Sequence, residues 1–272
     1  MATVAAQATG MGTAPTAMRL PNGWTVLQLN PAETSLQYRD IVATRAYLQH
    51  GLAVRAGDTV VDVGANIGIS SLFFHAEAPG VRIYAFEPAP LPFAALRANV
   101  MLHGVDAKVF RCGLSNRARS VPLTYYPHVT AMSSVYAEPE HDAGVTRRFL
   151  LNSGFDESDV ADMTHGLHVT ETVECELRTL SSVIEGEGIE RIDLLKLNVE
   201  KAEPDVLAGI EDEHWPLVRQ VTMQVHDAQD GVAAVRAELG DRGFEVWVGQ
   251  DPLLRGTDIF DLYATRRRGA AA

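Results

Sequence analysis

Cysteine is scarce, with only Cys112 and Cys175 in 272 residues. A chain of this length buries enough surface to fold without covalent staples. Two lone thiols therefore indicate a reducing compartment and small buried side chains, not a disulfide framework. Long apolar runs are absent too; none approaches the ~18 residues of a membrane-spanning helix. Positive charge is in short supply, with 23 Lys and Arg against 35 Asp and Glu, a net charge of −12. An acidic surface argues against nucleic acid and anionic membranes as main partners, because phosphate recognition needs a basic face. The one basic run, Arg266-Arg267-Arg268, reads as a solvated tail. The first residues have neither the basic segment nor the continuous apolar segment of a signal peptide. Residues 1–19 read as a flexible Ala/Thr/Gly leader, and the expected location is cytoplasmic. With 46% hydrophobic residues and a mean hydropathy of −0.02, the chain is not a disordered one.

What is present is a rhythm of short strands and helices. Leu20-Pro21-Asn22-Gly23-Trp24 is a turn signal and predicts a β-hairpin. Leu36, Ile41, Tyr47 and Leu48 recur near helical spacing, so residues 20–58 read as a hairpin and helical extension. From Thr59, β-branched runs alternate with helical stretches: Thr59 to Val63, Ile69 to Ala76, Val81 to Phe86, Leu91 to Leu102, and Ala107 to Arg111. Such alternation implies a parallel sheet covered on both faces. Between about 121 and 173 the rhythm breaks, and the stretch is expected to be a long irregular insertion acting as a lid. It then resumes with strands at Ile192 to Leu197, Val221 to Val225, Phe244 to Val248 and Ile259 to Thr265. Helices are expected near Glu203 to Ile210 and Val232 to Leu239. Residues 59–268 read as one domain.

The turn Val61-Asp62-Val63-Gly64-Ala65-Asn66-Ile67-Gly68 ends a strand and opens a helix. Glycine there admits close approach of a ligand to backbone, and the helix start offers free N–H groups. Glu87, twenty-three residues past Gly64 in Phe86-Glu87-Pro88, stands where a carboxylate takes the two hydroxyls of a ribose. A dinucleotide fingerprint would need glycine at 66 and 69, but Asn66 and Ile69 stand there. The spacing favours a nucleoside without phosphate, S-adenosylmethionine, over a nicotinamide cofactor. Asp62 is assigned to the ammonium and sulfonium end. Ala65, Pro88 and the turn Cys112-Gly113 complete the expected donor site.

These residues carry a resemblance. VDVGANIG, then FEP, IDLLKLNVEKAEPDVLAGI, VRQVTMQVHD and LLRGTDIFDLYATRR resemble the FkbM-type S-adenosylmethionine-dependent methyltransferases, over roughly Glu33 to Arg267. The resemblance implies the α/β class I methyltransferase fold, a Rossmann-like, seven-stranded, mostly parallel sheet with one antiparallel edge strand. It also implies O-methylation of a polyketide, peptide or related natural product. Sugar O-methylation is the alternative, and an NAD(P)-dependent oxidoreductase a more distant one. This chain has Asn198 where the family usually has Asp, and Lys201 where Gly is frequent.

Methyl transfer to a hydroxyl needs alignment, exclusion of water and removal of a proton. In parallel sheets ligands lie at the carboxyl ends of strands, which singles out Asn198, Glu200, His226 and Asp227. His226 is the candidate general base because its ordinary pKa lies near ~6.5. Glu200 or Asp227 would orient it. The alternative for Glu200, His226 and Asp227 is a Mg²⁺ site that acidifies the acceptor hydroxyl. Lys196 and Lys201 read as ion-pair partners of Glu200 or Glu203. Tyr126, His128, Ser133 and Tyr136 are candidates for lining the acceptor pocket. The expected partner is a small hydroxyl-bearing molecule; homodimerisation is left open.

Overall fold

The computed structural model describes residues 14–227 and 230–267. The chain opens with the hairpin β1 (Thr16–Arg19) and β2 (Thr25–Gln28), turning at Leu20–Trp24. The strand β1 thus occupies residues assigned to the leader; residues 1–13 of that leader lie outside the described residues. Asn30 caps α1 (Pro31–Gln37), its side chain accepting from the N–H groups of Ala32 and Glu33, with Pro31 pre-set at the first helical position. A π-helical turn (Tyr38–Ala43) and a 3₁₀ turn (Ala46–Leu48) lead to the main sheet.

Chain order then runs β3 (Thr59–Val63), α2 (Ile69–Glu77), β4 (Arg82–Phe86), α3 (Pro90–Leu102), β5 (Ala107–Phe110), β6 (Gly113–Leu114) and β7 (Arg119–Tyr125). It continues with α4 (Pro139–Asn152), α5 (Glu157–Thr164), β8 (Glu171–Arg178), α6 (Leu180–Glu187), β9 (Leu194–Leu197) and α7 (Glu203–Ala208). The last elements are β10 (Gln220–His226), α8 (Gly231–Asp241), β11 (Phe244–Gly249) and β12 (Ile259–Arg266). Seven strands pair in the order β11-β12-β10-β9-β3-β4-β5. This is the expected class I methyltransferase arrangement, with one difference. The antiparallel strand β12 is not at the edge; it slots between β10 and β11, pairing antiparallel with both.

Side chains alternate across each strand, so β3 sends Val61 and Val63 to one core and Val60 to the other. The first core packs against Val206, Leu207, Val235 and Leu239 from the helices of one face. The second takes Leu72, Phe73, Phe74, Leu96 and Val100 from α2 and α3. Fully buried side chains of this kind stabilise the fold by about 1.5–3 kcal/mol each. Asn99, fully buried on α3, ties the hairpin to this layer: its amide bonds both backbone groups of Leu27 and the carbonyl of Ile67.

The stretch expected to be irregular is regular. The strands β7 and β8 pair antiparallel over Arg119–Tyr125, with β6 on the other side of β8, and α4 and α5 lie between them in sequence. The basic run is not a solvated tail at Arg266. That guanidinium donates to the carbonyls of Val218, Arg242 and Trp215 and sits over the Phe244 ring. Arg268 lies outside the described residues.

Candidate active site

The carboxyl ends of β3, β4, β9 and β10 open into one cavity of about 340 Å³, roofed by the inserted segment from Val129 to Val135. On the β4 side, Glu87 is buried. Its Oε1 accepts the Ala89 N–H at 2.8 Å and its Oε2 the Asn66 N–H at 3.0 Å. Burial raises its pKa to about 7 against the pull of those two N–H groups. Asn66 reaches that position through a left-handed backbone (φ 49°), and its side chain joins Gln37 to Thr130. Ala65, Pro88 and Gly113 line the same side.

The two glycines of the turn do different things from what their spacing suggested. A Cβ on Gly64 would lie 1.8 Å from the Asn198 carbonyl oxygen, so this glycine is demanded by the end of β9 crossing beneath it as well as by the cavity. Gly68 does not line the cavity. A Cβ there would meet Leu96 Cδ1 at 2.8 Å, so it serves the close packing of α2 on α3. Asp62 is also not a ligand-facing group. It is fully buried, pairs with Lys196 Nζ at 3.0 Å and accepts the hydroxyls of Ser70 and Ser71. Burial opposes the charge on Lys196, but Asp62, with Tyr47 and Glu87, outweighs it and keeps the pKa raised. Lys196 also donates to the carbonyls of Val63 and Gly64, pinning the turn from below. Cys112 lies in the first core, not in the cavity lining, and burial pushes both thiols up to about 11.

On the β9 side, Asn198 and Glu200 line the cavity. Asn198 Nδ2 bonds the Tyr47 hydroxyl, while its buried Oδ1 has no hydrogen-bond partner. Glu200 and Lys201 both hold left-handed backbones (φ 52° and 74°), an unusual pair for residues with side chains. Three contacts hold this bend: the Ser134 hydroxyl on the Glu200 carbonyl, the Lys201 N–H on His226 Nδ1 at 3.2 Å, and the Lys201 ammonium on Asp142 at 2.8 Å. Lys201 is thus an ion-pair residue, but its partners are Asp142 and Glu138 of the insertion, not Glu200 or Glu203.

His226 stands behind Glu200 and does not line the cavity. Its Nε2 is 3.5 Å from Glu200 and its Nδ1 3.7 Å from Glu203. Burial lowers its proton affinity, yet the two carboxylates win and lift its pKa to about 10. Neutral, the ring has its one lone pair taken by the Lys201 N–H; protonated, it has none. The ring is thus turned onto Glu200 and Glu203 and away from the cavity, which argues against the expected general-base role. Asp227 is drawn away: its Oδ1 takes the Val232 N–H at the start of α8. The set Glu200, His226 and Asp227 does not converge on a metal position. Among the described residues, the close group of carboxylates and imidazole is Glu185, Glu211, Glu213 and His214, none of which lines the cavity.

Of the four expected acceptor-pocket residues, Ser133 lines the cavity, with its hydroxyl on the Tyr126 N–H. Tyr126 is buried with its hydroxyl on Asp142, His128 is exposed, and Tyr136 bonds Asp205 outside. Sequence reasoning missed Glu33, Asp40, Gln224 and Asp261, all in the lining. Glu33 accepts the N–H groups of Thr130 and Ala131 and so seats the roof on α1; burial raises its pKa. Its signal was weak but present, as Asn30-Pro31 places it in the first turn of a helix.

Comparison with known proteins decides the family. The profile of the Methyltransferase FkbM domain matches residues 62–246. The chain belongs to the FkbM methyltransferase family. It is 46% identical to 31-O-demethyl-FK506 methyltransferase FkbM of Streptomyces tacrolimicus, over 93% of this chain and 97% of that protein. It is 33% identical to methyltransferase sdnD of Sordaria araneosa, over 88% and 92% respectively. AMB antimetabolite synthetase AmbE of Pseudomonas aeruginosa is 38% identical over 91% of this chain but only 12% of its own length. Among solved structures, methyltransferase FkbM from Methylobacillus flagellatus KT shares the fold, with a TM-score of 0.50 and 13% identity over 79% of this chain and 45% of that one. This FkbM-family chain is therefore a methyltransferase, of a class that takes its methyl group from S-adenosylmethionine. Among its described residues no helix is long and apolar enough to cross a membrane.

Proposed function

We propose that this protein transfers the methyl group of S-adenosylmethionine to a hydroxyl oxygen of a polyketide, peptide or related natural product. The observation that carries the reading is one cavity with two carboxylates on opposite sides of the Gly64 turn: Glu87 beyond β4 and Glu200 beyond β9. The residues fit an adenosine. Glu87 spends one lone pair of each oxygen on a backbone N–H and keeps the others for the two hydroxyls of a ribose. The name of the FkbM relative places its methyl group on an oxygen of demethylated FK506, which supports an oxygen acceptor.

When bound, S-adenosylmethionine supplies a methyl group on a positively charged sulfur, already activated for displacement. The chain's own residues then have three tasks. Glu87 and the backbone at Gly64 and Asn66 fix the nucleoside. The Val129–Val135 roof, tied down by Glu33, keeps water out. Glu200 accepts the hydroxyl proton, with His226 holding its carboxylate in place.

Tritium transfer from labelled donor to a panel of natural-product alcohols tests this. Glu200→Gln is expected to lower kcat by ~10²–10⁴-fold while S-adenosylhomocysteine binds as before. Unchanged turnover in that variant removes Glu200 as the base, and transfer to nitrogen or carbon alone removes the oxygen acceptor.

A further inference from the structure

Two polar side chains that meet in the cavity are each left one hydrogen bond short. Asn198, just past the end of β9, donates Nδ2 to the Tyr47 hydroxyl at 3.3 Å, and its buried Oδ1 has no hydrogen-bond partner among the described residues. Tyr47 stands on the 3₁₀ turn Ala46–Leu48 and is buried. Its hydroxyl accepts that one bond, so among the described residues its own proton has no acceptor. Burial raises the pKa of the phenol, which keeps the proton in place for donation. Both side chains line the cavity. The Tyr47 ring is firmly seated: it packs on Phe74 with centroids 6.2 Å apart, and Lys196 Nζ lies 5.2 Å from its centroid. The Tyr263 hydroxyl fixes the preceding carbonyl, that of Ala46, at 2.8 Å. Buried polar groups are rarely left unpaired, so this pair marks a place where a ligand brings one donor and one acceptor.

The position of the pair selects the part of the ligand. The strands run in the order β9-β3-β4-β5, and neighbours lie ~4.8 Å apart, so the end of β9 is about 10 Å from the end of β4. On the β5 side of Glu87 the lining is apolar, with Pro88, Leu114 and Leu177, and suits a flat base. The 5′ arm of a nucleoside held by Glu87 then runs the other way, across Gly64. In S-adenosylmethionine about six single bonds separate the ribose C3′ from the α-carbon, a reach on the order of 8 Å before hydrogen bonds are added. That arm ends in an ammonium and a carboxylate. We propose that Tyr47 and Asn198 hold the amino-acid end of the methyl donor, Asn198 Oδ1 accepting from the ammonium and the Tyr47 hydroxyl donating to the carboxylate. This deepens the methyl-transfer reading and rests on it. Tyr47 lies ahead of residues 62–246, the stretch that matches the family profile, so the N-terminal extension completes the donor site. A neutral donor–acceptor pair suits a zwitterion, because neither of its charges is then buried without a partner.

The test is calorimetry of the full chain with S-adenosylhomocysteine and with 5′-methylthioadenosine. The two ligands share the nucleoside and the sulfur, but the second has a methyl group in place of the amino-acid arm. The parent chain is expected to bind S-adenosylhomocysteine at least tenfold more tightly. Tyr47→Phe and Asn198→Leu should each weaken that binding by about tenfold or more, while methylthioadenosine binds as it does to the parent. A merely structural role would weaken both ligands alike, and that result overturns the proposal. So does a parent chain with no preference for S-adenosylhomocysteine. Undiminished binding of S-adenosylhomocysteine in either variant removes that residue from the site. If Asn198→Leu does not fold, Tyr47→Phe carries the comparison. All of these results leave the ribose site at Glu87 standing, whereas failure of the parent chain to bind either ligand refutes the methyl-transfer reading itself.

Discussion

Donor binding should release a proton in a defined pH window, and Glu87 sets that window. Burial lifts its carboxyl to about 7, with the N–H groups of Ala89 and Asn66 and the charge of Lys196 opposing. At pH 6 a group with that pKa is about 90% protonated, and at pH 8 about 10%. Ribose hydroxyls donate to the charged form, so occupancy pulls the pKa down. Uptake of S-adenosylhomocysteine is therefore expected to release about 0.9 proton at pH 6 and about 0.1 at pH 8. Affinity should fall by close to tenfold per unit below about pH 7. Calorimetry in buffers of differing ionisation enthalpy reads the proton count directly, and Glu87→Gln should abolish it. The sign for stability is the reverse of the usual carboxylate. The empty folded state holds this proton more tightly than the unfolded chain. The Glu87 contribution therefore favours folding increasingly as pH falls from about 7 toward 4.5. Proton release that stays flat from pH 6 to 8, or that survives Glu87→Gln, would take Glu87 out of the donor site.

Two further outcomes test the framework under the cavity. Lys196→Met strands a buried Asp62 and should cost about 3–5 kcal/mol in urea unfolding, with Lys196→Met combined with Asp62→Asn recovering part of it. Gly64→Ala drives a Cβ into the Asn198 carbonyl and should cost well over 2 kcal/mol and donor binding with it. Gly104→Ala, at a similar positive φ but in open space, should cost only about 1 kcal/mol by the same measurement.

The parallel strands were legible because they are short, mostly apolar runs, and the central ones are buried on both faces, as Leu194 to Leu197 is even with Lys196 within it. The insertion was not legible, for two reasons. Val121 pairs with Cys175 and Thr124 with Thr172, partners about fifty residues apart that no local pattern connects. Its helix α4 is largely polar, burying little beyond Asp142. At the site, Glu87 and Glu200 followed from their place at strand ends. That His226 faces away from the cavity did not, because it depends on Glu203 and the Lys201 N–H closing around the ring. Asp62 misled for a related reason: its partner Lys196 comes from the neighbouring strand, opposite it in the β3–β9 register.

The bend that carries Glu200 is fastened to the roof through Ser134 and to α4 through Lys201 and Asp142. On the reading proposed above, lifting the roof to admit the acceptor would also loosen the carboxylate assigned to take its proton. On that reading an opened enzyme would be a disarmed one, with no poised base beside the sulfonium to turn water into the nucleophile.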